Sequence, residues 1–156
     1  MNNTPIDEVM EHKHLGCILQ NNCIWRRQLE ELTTSCAKKV DILRSLKYTL
    51  SRKTLEHLYK AFIRPKLEYA SCVWSNASLE QLRDVENVQL ASMRVVTGAI
   101  KGTKHESIYR ELPWETTYER RLNKNLAVYY KTYHNLVPSY LRDILPPPWK
   151  SASHTL

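Results

Sequence analysis

The chain has 156 residues, 42% of them hydrophobic and 25% charged, the balance of a soluble domain with a real core. Only 3 glycines argue against a glycine-rich phosphate loop, and no apolar run is long enough to span a bilayer, so no membrane partner is expected. Lys and Arg number 23 against 16 Asp and Glu, a net charge of +7; this suits a polyanion such as nucleic acid or an anionic surface, or serves only solubility.

Met1 to Glu11 is polar and reads as loose, with nothing resembling a signal peptide. The four cysteines, Cys17, Cys23, Cys36 and Cys72, show no C-x-x-C spacing, which predicts reduced thiols in an intracellular protein. His14-Leu15-Gly16-Cys17-Ile18-Leu19 reads as a short strand entering a turn at Gln20-Asn21-Asn22. A lone strand looks like the edge of a sheet cut away, so residues 1–24 are taken as a loose N-terminus with a vestigial β segment. His12, His14, Cys17 and Cys23 lack the tight paired spacing of a structural zinc site, and no metal is expected.

Trp25 to Leu46 predicts the first helix, with Trp25, Leu29, Leu32, Cys36, Val40, Leu43 and Leu46 at steps of three and four. Ser51 is the expected N-cap of a second helix. Its stripe runs through Leu55, Leu58, Tyr59, Phe62 and Ile63, then on past Pro65 through Leu67, Tyr69, Ala70, Val73 and Trp74. Pro65 removes the amide that would bond the carbonyl of Ala61, so this central helix should kink or restart there. Ser78-Leu79-Glu80-Gln81 is a capping-box pattern opening a third helix, with Leu82, Val85, Val88, Ser92, Val95 and Val96 on one side and Gly98 just past its end.

Thr103-Lys104-His105-Glu106 reads as a second capping box, opening a short helix to Leu112 that Pro113 ends. A longer helix follows, with Leu122, Leu126, Tyr129, Tyr133 and Leu136 inward, then a last turn from Val137. Pro146-Pro147-Pro148 predicts a stiff extended tail over 146–156, with Trp149 exposed. The fold class expected is all-α, a helical bundle of about five helices over 25–145.

Several of these stretches resemble one family in the same order. Pro65, Leu67-Glu68-Tyr69-Ala70-Ser71 and Val73-Trp74 resemble a segment that follows the polymerase palm in reverse transcriptases of LINE-type (non-LTR) retrotransposons, the jockey-like group. Val85-Glu86-Asn87-Val88-Gln89, Arg94-Val95-Val96-Thr97-Gly98, Leu112-Pro113-Trp114, Arg120-Arg121 and Tyr130 to Leu141 echo later family segments, although Pro113 stands where the family has Gly. Leu15, Gly16, Leu19, Ile24, Trp25 and Leu29 resemble the palm-end segment in which a hairpin acts as primer grip; His14, Gln20 and Gln28 depart from it. The resemblance implies a palm-end, thumb and post-thumb fragment, with His14, Leu15 and Gly16 in the primer-grip-like position.

A polymerase needs paired carboxylates to hold two divalent ions around the transferring phosphate. The chain has no Asp-Asp pair, and Asp7, Asp41, Asp84 and Asp143 are scattered, so no catalytic residue and no cofactor are expected. Lys38, Lys39, Arg44, Lys47, Arg52 and Lys53 gather six cations about the first inter-helix turn, against one anion, Asp41. Such a tip is either a solvated helix end or a grip on backbone phosphates. Arg120, Arg121 and Lys124 form a second basic cluster on one helix. Trp25, Trp74 and Trp114 could stack on bases, but their spacing with aliphatic residues favours the core. With the family's thumb as context, the expectation is sequence-independent grip on an RNA–DNA or RNA duplex. The rivals are a protein partner on an exposed apolar face and a decayed mobile-element remnant with no selected function.

Overall fold

The structure, a computed structural model, describes residues 9–143. The loose start over residues 1–8, Asp7, the proline-rich tail over 146–156 and Trp149 lie outside the described residues. Chain contacts divide the molecule into two compact units, Met1–Arg121 and Leu122–Leu156. Among the described residues the fold is mostly helical with one small sheet.

In the first unit, the predicted single strand is an antiparallel hairpin. Strands β1 (Glu11–His14) and β2 (Cys17–Gln20) pair with His14 opposite Cys17 and Glu11 opposite Gln20. Leu15 and Gly16, expected inside a strand, are instead the two turn residues, with φ of 46° and 78°. With positive φ at both central positions this is the type I′ class of hairpin turn, and Leu15 disguises it because Asn or Asp usually stands there. Glu11, expected in a loose segment, pairs in β1. The hairpin is tied to the helices: the Ile18 amide donates to buried Gln28 Oε1 at 2.8 Å, and the Tyr69 hydroxyl donates to the Leu15 carbonyl.

Helix α1 (Arg26–Ser45) buries Leu29, Leu32, Cys36, Val40 and Leu43, as its periodicity predicts, with Trp25 at its N-cap. It packs along α4 (Leu79–Thr97), whose Ser78–Gln81 capping box forms in both directions and whose C-cap, Gly98, sits at φ 79°. That left-handed residue lets the chain leave the helix without a Cβ clash.

The central helix breaks as Pro65 requires. Helix α2 (Arg52–Leu58), capped by Ser51 Oγ accepting from the Thr54 amide, opens into a π-turn over Tyr59–Ile63 and restarts as α3 (Arg64–Leu67). The Arg64 amide reaches back five residues to the Tyr59 carbonyl. An inserted residue of this kind shifts the carbonyl that a proline ring would otherwise strike. The helix does not run on to Trp74, as the stripe suggested. It ends at Leu67, Ala70 turns the chain at φ 52°, and Phe62, Tyr69 and Val73 are exposed. Trp74 reaches the core from a turn, beside Tyr59, Ile63, Leu67, Val85, Met93 and Ile108.

Helix α5 (His105–Glu111) ends before Pro113 but lacks the expected capping box. Lys104 holds the N-cap position, and Thr103 Oγ1 is occupied donating to the Ile100 carbonyl at 2.9 Å. Helix α6 (Thr117–Tyr133) starts in the first unit, and α7 (Ser139–Arg142) lies in the second. Leu122, Leu126, Tyr129, Tyr133 and Leu136, expected inward, are all exposed. Helical spacing marks a face as apolar, but only a facing surface buries it. Within this unit the rings of Tyr129 and Tyr133 stack on one another at 6.4 Å, and Tyr130 meets His134 at 4.2 Å.

Candidate nucleic-acid interface

The six cations about the α1–α2 turn have different fates. Lys38 and Lys53 are exposed and make no ion pair among the described residues. Lys39 Nζ donates to the Phe62 carbonyl at 2.7 Å, within the π-turn. Arg44 pairs with Asp41 one helical turn before it. Arg52 reaches both the carboxylate of Glu111, at 2.7 Å, and its carbonyl. Lys47 Nζ lies 5.6 Å from the ring centre of Tyr48, the most exposed aromatic ring near the turn.

A cleft of about 650 Å³ opens between the end of α1 and the last turns of α4 with the loop that follows. Arg44, Lys47, Arg94 and Lys101 supply its charge, and Tyr48, Ala91, Val95 and Ala99 share its lining. No acidic side chain lines it. Gly98, at φ 79°, lies beside Lys47, whose side chain would be in ordinary contact with a Cβ placed there. Lys47, Arg94 and Lys101 have no ion pair among the described residues, and the enclosed Nε of Arg94 has no hydrogen-bond partner. Both helices point their C-terminal, partially negative ends this way, and Arg44 and Arg94 in their last turns offset that field. Sequence reasoning missed Arg94 and Lys101 as partners of the α1 tip, since only the α1–α4 packing brings them there. The sole signal was their place around Gly98, a helix stop that folds the following loop back.

A second cleft, about 470 Å³, lies beside the hairpin and is lined by Gly16, Lys13, Lys39, Lys66, Phe62 and Tyr69 among others. The primer-grip-like His14, Leu15 and Gly16 lie at the hairpin tip, with His14 and Leu15 exposed. The cations of this cleft, however, are engaged: Lys13 with Glu31 at 2.8 Å, Lys39 with the Phe62 carbonyl, and Lys66 Nζ with Ser35 Oγ at 2.5 Å. The bond from Lys13 holds the Glu31 carboxyl below its ordinary range.

Arg120 and Arg121 are not the surface cations that the sequence suggests. They are 5% and 6% exposed. The Arg120 guanidinium donates to Glu68 Oε1 at 2.5 Å, to Gln89 Oε1 and to the Glu115 carbonyl. Arg121 lies 5.8 Å from the centres of both the Trp74 and Tyr118 rings, and burial lowers its pKa. An adjacent Arg pair reads as a basic patch only if both side chains face water, and this helix start faces the core. Lys124 belongs to the second unit and is half-buried.

Around Arg120 runs a polar network. Gln89, fully buried, accepts from the Tyr59 hydroxyl at 2.7 Å and donates to Tyr109 Oη and the Glu115 carbonyl. Glu86 receives the Tyr109 hydroxyl, the Thr117 hydroxyl and, at 2.8 Å, the Thr117 amide. Burial pushes the Tyr59 phenol up to about 12, and burial followed by Glu86 raises that of Tyr109. For a phenol, a raised folded-state pKa means that the unfolded chain loses its proton first. Stability from these groups is therefore complete below about pH 10 and is expected to fall from about pH 10 toward 12, by up to about 1 kcal/mol per pH unit for buried Tyr59 and by less for half-buried Tyr109. Urea melts from about pH 8 to 11.5 check this; a midpoint flat above about pH 10 would contradict it.

Among the described residues, no group of three or more His, Cys, Asp or Glu could hold a metal, and the four cysteines are free thiols. No described helix is long and apolar enough to cross a membrane.

No protein-family model and no solved structure matches the chain. Two curated proteins do. A probable RNA-directed DNA polymerase from transposon X-element of Drosophila melanogaster is 22% identical over 149 residues, covering 92% of this chain and 16% of that protein. An RNA-directed DNA polymerase from mobile element jockey of Drosophila funebris is 26% identical over 102 residues, 64% of this chain and 11% of that protein. The chain thus spans less than a fifth of the length of either. Over most of its own length this chain is similar to the RNA-directed DNA polymerases of jockey-like non-LTR retrotransposons, and it corresponds to a small part of one.

Proposed function

We propose that this chain is a non-catalytic part of a retrotransposon RNA-directed DNA polymerase that grips the backbone of a nucleic-acid duplex through the basic surface at the end of α1. The observation that carries this reading is the acid-free cleft in which Lys47, Arg94 and Lys101 point no charge at a carboxylate of the protein itself, with Lys38 and Lys53 exposed nearby. Cations held on helix ends, without donors aimed at base edges, bind phosphates and not sequence. The relatives' names supply the kind of polymer, RNA template and DNA product. The absence of an Asp-Asp pair in the sequence supports the non-catalytic part.

The test is fluorescence anisotropy with an RNA–DNA hybrid over a salt series. Lys47→Gln combined with Lys101→Gln should weaken binding to all sequences alike and flatten the salt slope by about two units, roughly one for each phosphate no longer neutralised. Both side chains lie outside the core, so the fold should persist. Arg52→Gln is a poorer probe, because it also breaks the bond to Glu111. A double variant that binds like the parent would reduce the tip to a solvated helix end.

A protein partner is the second reading, favoured by the exposed Leu122, Leu126, Tyr129, Tyr130, Tyr133 and Leu136 of the second unit. Exposed apolar surface of this kind commonly marks a binding face.

A further inference from the structure

We infer that the exposed face of α6 pairs with the same face of a second copy of this chain, forming a weak dimer across a coiled-coil-like seam. This occupant rests on the protein-partner reading of that face and is independent of duplex grip. Within the second unit, Leu122, Leu126, Tyr129 and Tyr133 follow one another at steps of four, three and four. That alternation is the a/d spacing of a two-helix seam, narrower than the stripe with which a helix faces a globular core. All four side chains are between 41% and 57% exposed, so the described fold leaves the seam open. The rings of Tyr129 and Tyr133 already stack along it, so less side-chain freedom is lost on pairing.

The residues beside the seam select the occupant. Positions e and g of such a pair carry the charges that choose a partner. Here they hold Asn123, Asn125, Tyr130 and Thr132, none of them charged, and Thr132 is already buried in its own chain. A partner specified by acidic or basic flanks has nothing to read, whereas two identical copies meet without like-charge repulsion. The cations of this stretch, Lys124 and Lys131, fall at f positions, on the helix side opposite the seam. Leu136, 66% exposed, lies just past the helix, where its amide donates to the Lys131 carbonyl at 2.8 Å. With Tyr130 and Leu136 added, each copy brings six open side chains of roughly 100 Å² each, about 1,200 Å² between two copies, the lower limit for a specific interface. A micromolar dimer, formed only as concentration rises, follows from that area.

The test is analytical ultracentrifugation of the full chain, freed of nucleic acid by nuclease and held at high salt, where phosphate contacts are screened out. Over about a hundredfold rise in concentration the average mass should climb from 18.4 kDa toward twice that value. Tyr129→Gln, at the middle of the seam, should weaken the association by about fivefold or more. Two charged chains supply the decisive comparison, one carrying Leu126→Lys with Tyr133→Lys, the other Leu126→Glu with Tyr133→Glu. Each alone should stay monomeric. An equal mixture should associate again, because Lys faces Glu whether the helices run parallel or antiparallel. Lys131→Glu, on the opposite side of the helix, should change nothing. Circular dichroism should show all these chains equally helical, since the substituted side chains are exposed. A parent that stays monomeric overturns the inference and leaves the face to a different protein, so that the protein-partner reading stands. Association unchanged in both charged chains places the contact elsewhere and overturns the inference and that reading of the face together. Charged chains that stay monomeric even when mixed overturn the inference as well.

Discussion

Replacing Trp74 with alanine is expected to destabilise the first unit by about 3–5 kcal/mol, the range for emptying a buried aromatic site. The ring is 1% exposed and belongs to the central cluster with Tyr59, Ile63 and Leu67. Its indole Nε1 donates to the Tyr69 carbonyl at 3.0 Å, fixing the turn that follows α3. It also covers the guanidinium of Arg121, whose Nη1 is buried without a partner. Truncation therefore removes packing, leaves the Tyr69 carbonyl without its donor, and strips a buried cation of its aromatic neighbour; the upper half of the range is expected. Val73, adjacent in sequence, is half-exposed, and Val73→Ala should change stability by less than about 1 kcal/mol. Urea melts of the two variants give the comparison. Equal, small shifts would place this segment on the surface.

Arg120→Met is expected to cost about 3 kcal/mol or more, although a methionine of similar length can fill the space. Breaking one side of a buried charged network usually costs about 3–5 kcal/mol, because its partners lose their counter-charge and donors. Here Glu68, Gln89 and the Glu115 carbonyl lose a donor together. Glu68 keeps Arg64 at 2.8 Å, which holds the loss toward the lower end of the range. Arg120→Lys should recover little, since one ammonium cannot match a planar fork aimed at three acceptors. Denaturant midpoints measure the cost, and anisotropy with the hybrid supplies the second readout. A cost under about 1 kcal/mol with weakened hybrid binding would return Arg120 to the surface role that its sequence context suggests.

The hairpin and the tail of the central helix show where local pattern misleads. Leu15 looks like a strand residue, but it turns at positive φ because β1 pairs with β2 and Tyr69 fastens the turn. Tyr69, Ala70 and Val73 continue a helical stripe on paper. The chain nevertheless leaves the helix at Leu67, and Trp74 fills the core from the turn beyond. The α6 stripe is periodic yet exposed, since periodicity cannot report whether anything covers it.

What the sequence determined by itself is local. Ser51 and Ser78 cap because a side-chain oxygen can satisfy an amide three residues on, Gly98 ends α4 because it tolerates positive φ, and Pro65 interrupts because it has no amide to give. The α1 core stripe and the likeness to the jockey-like polymerases were equally legible in residue spacing and motif order. Only the tertiary structure decided which cations are free. Arg120 and Arg121, adjacent and basic, turn inward onto Glu68, Gln89 and Trp74, while Arg94 and Lys101, apart in sequence from the α1 tip, join Lys47 around one cleft. Charge is a property of a residue, but its availability depends on which acceptors the packed helices bring within reach, and these lie 31 and 52 residues away from Arg120 along the chain.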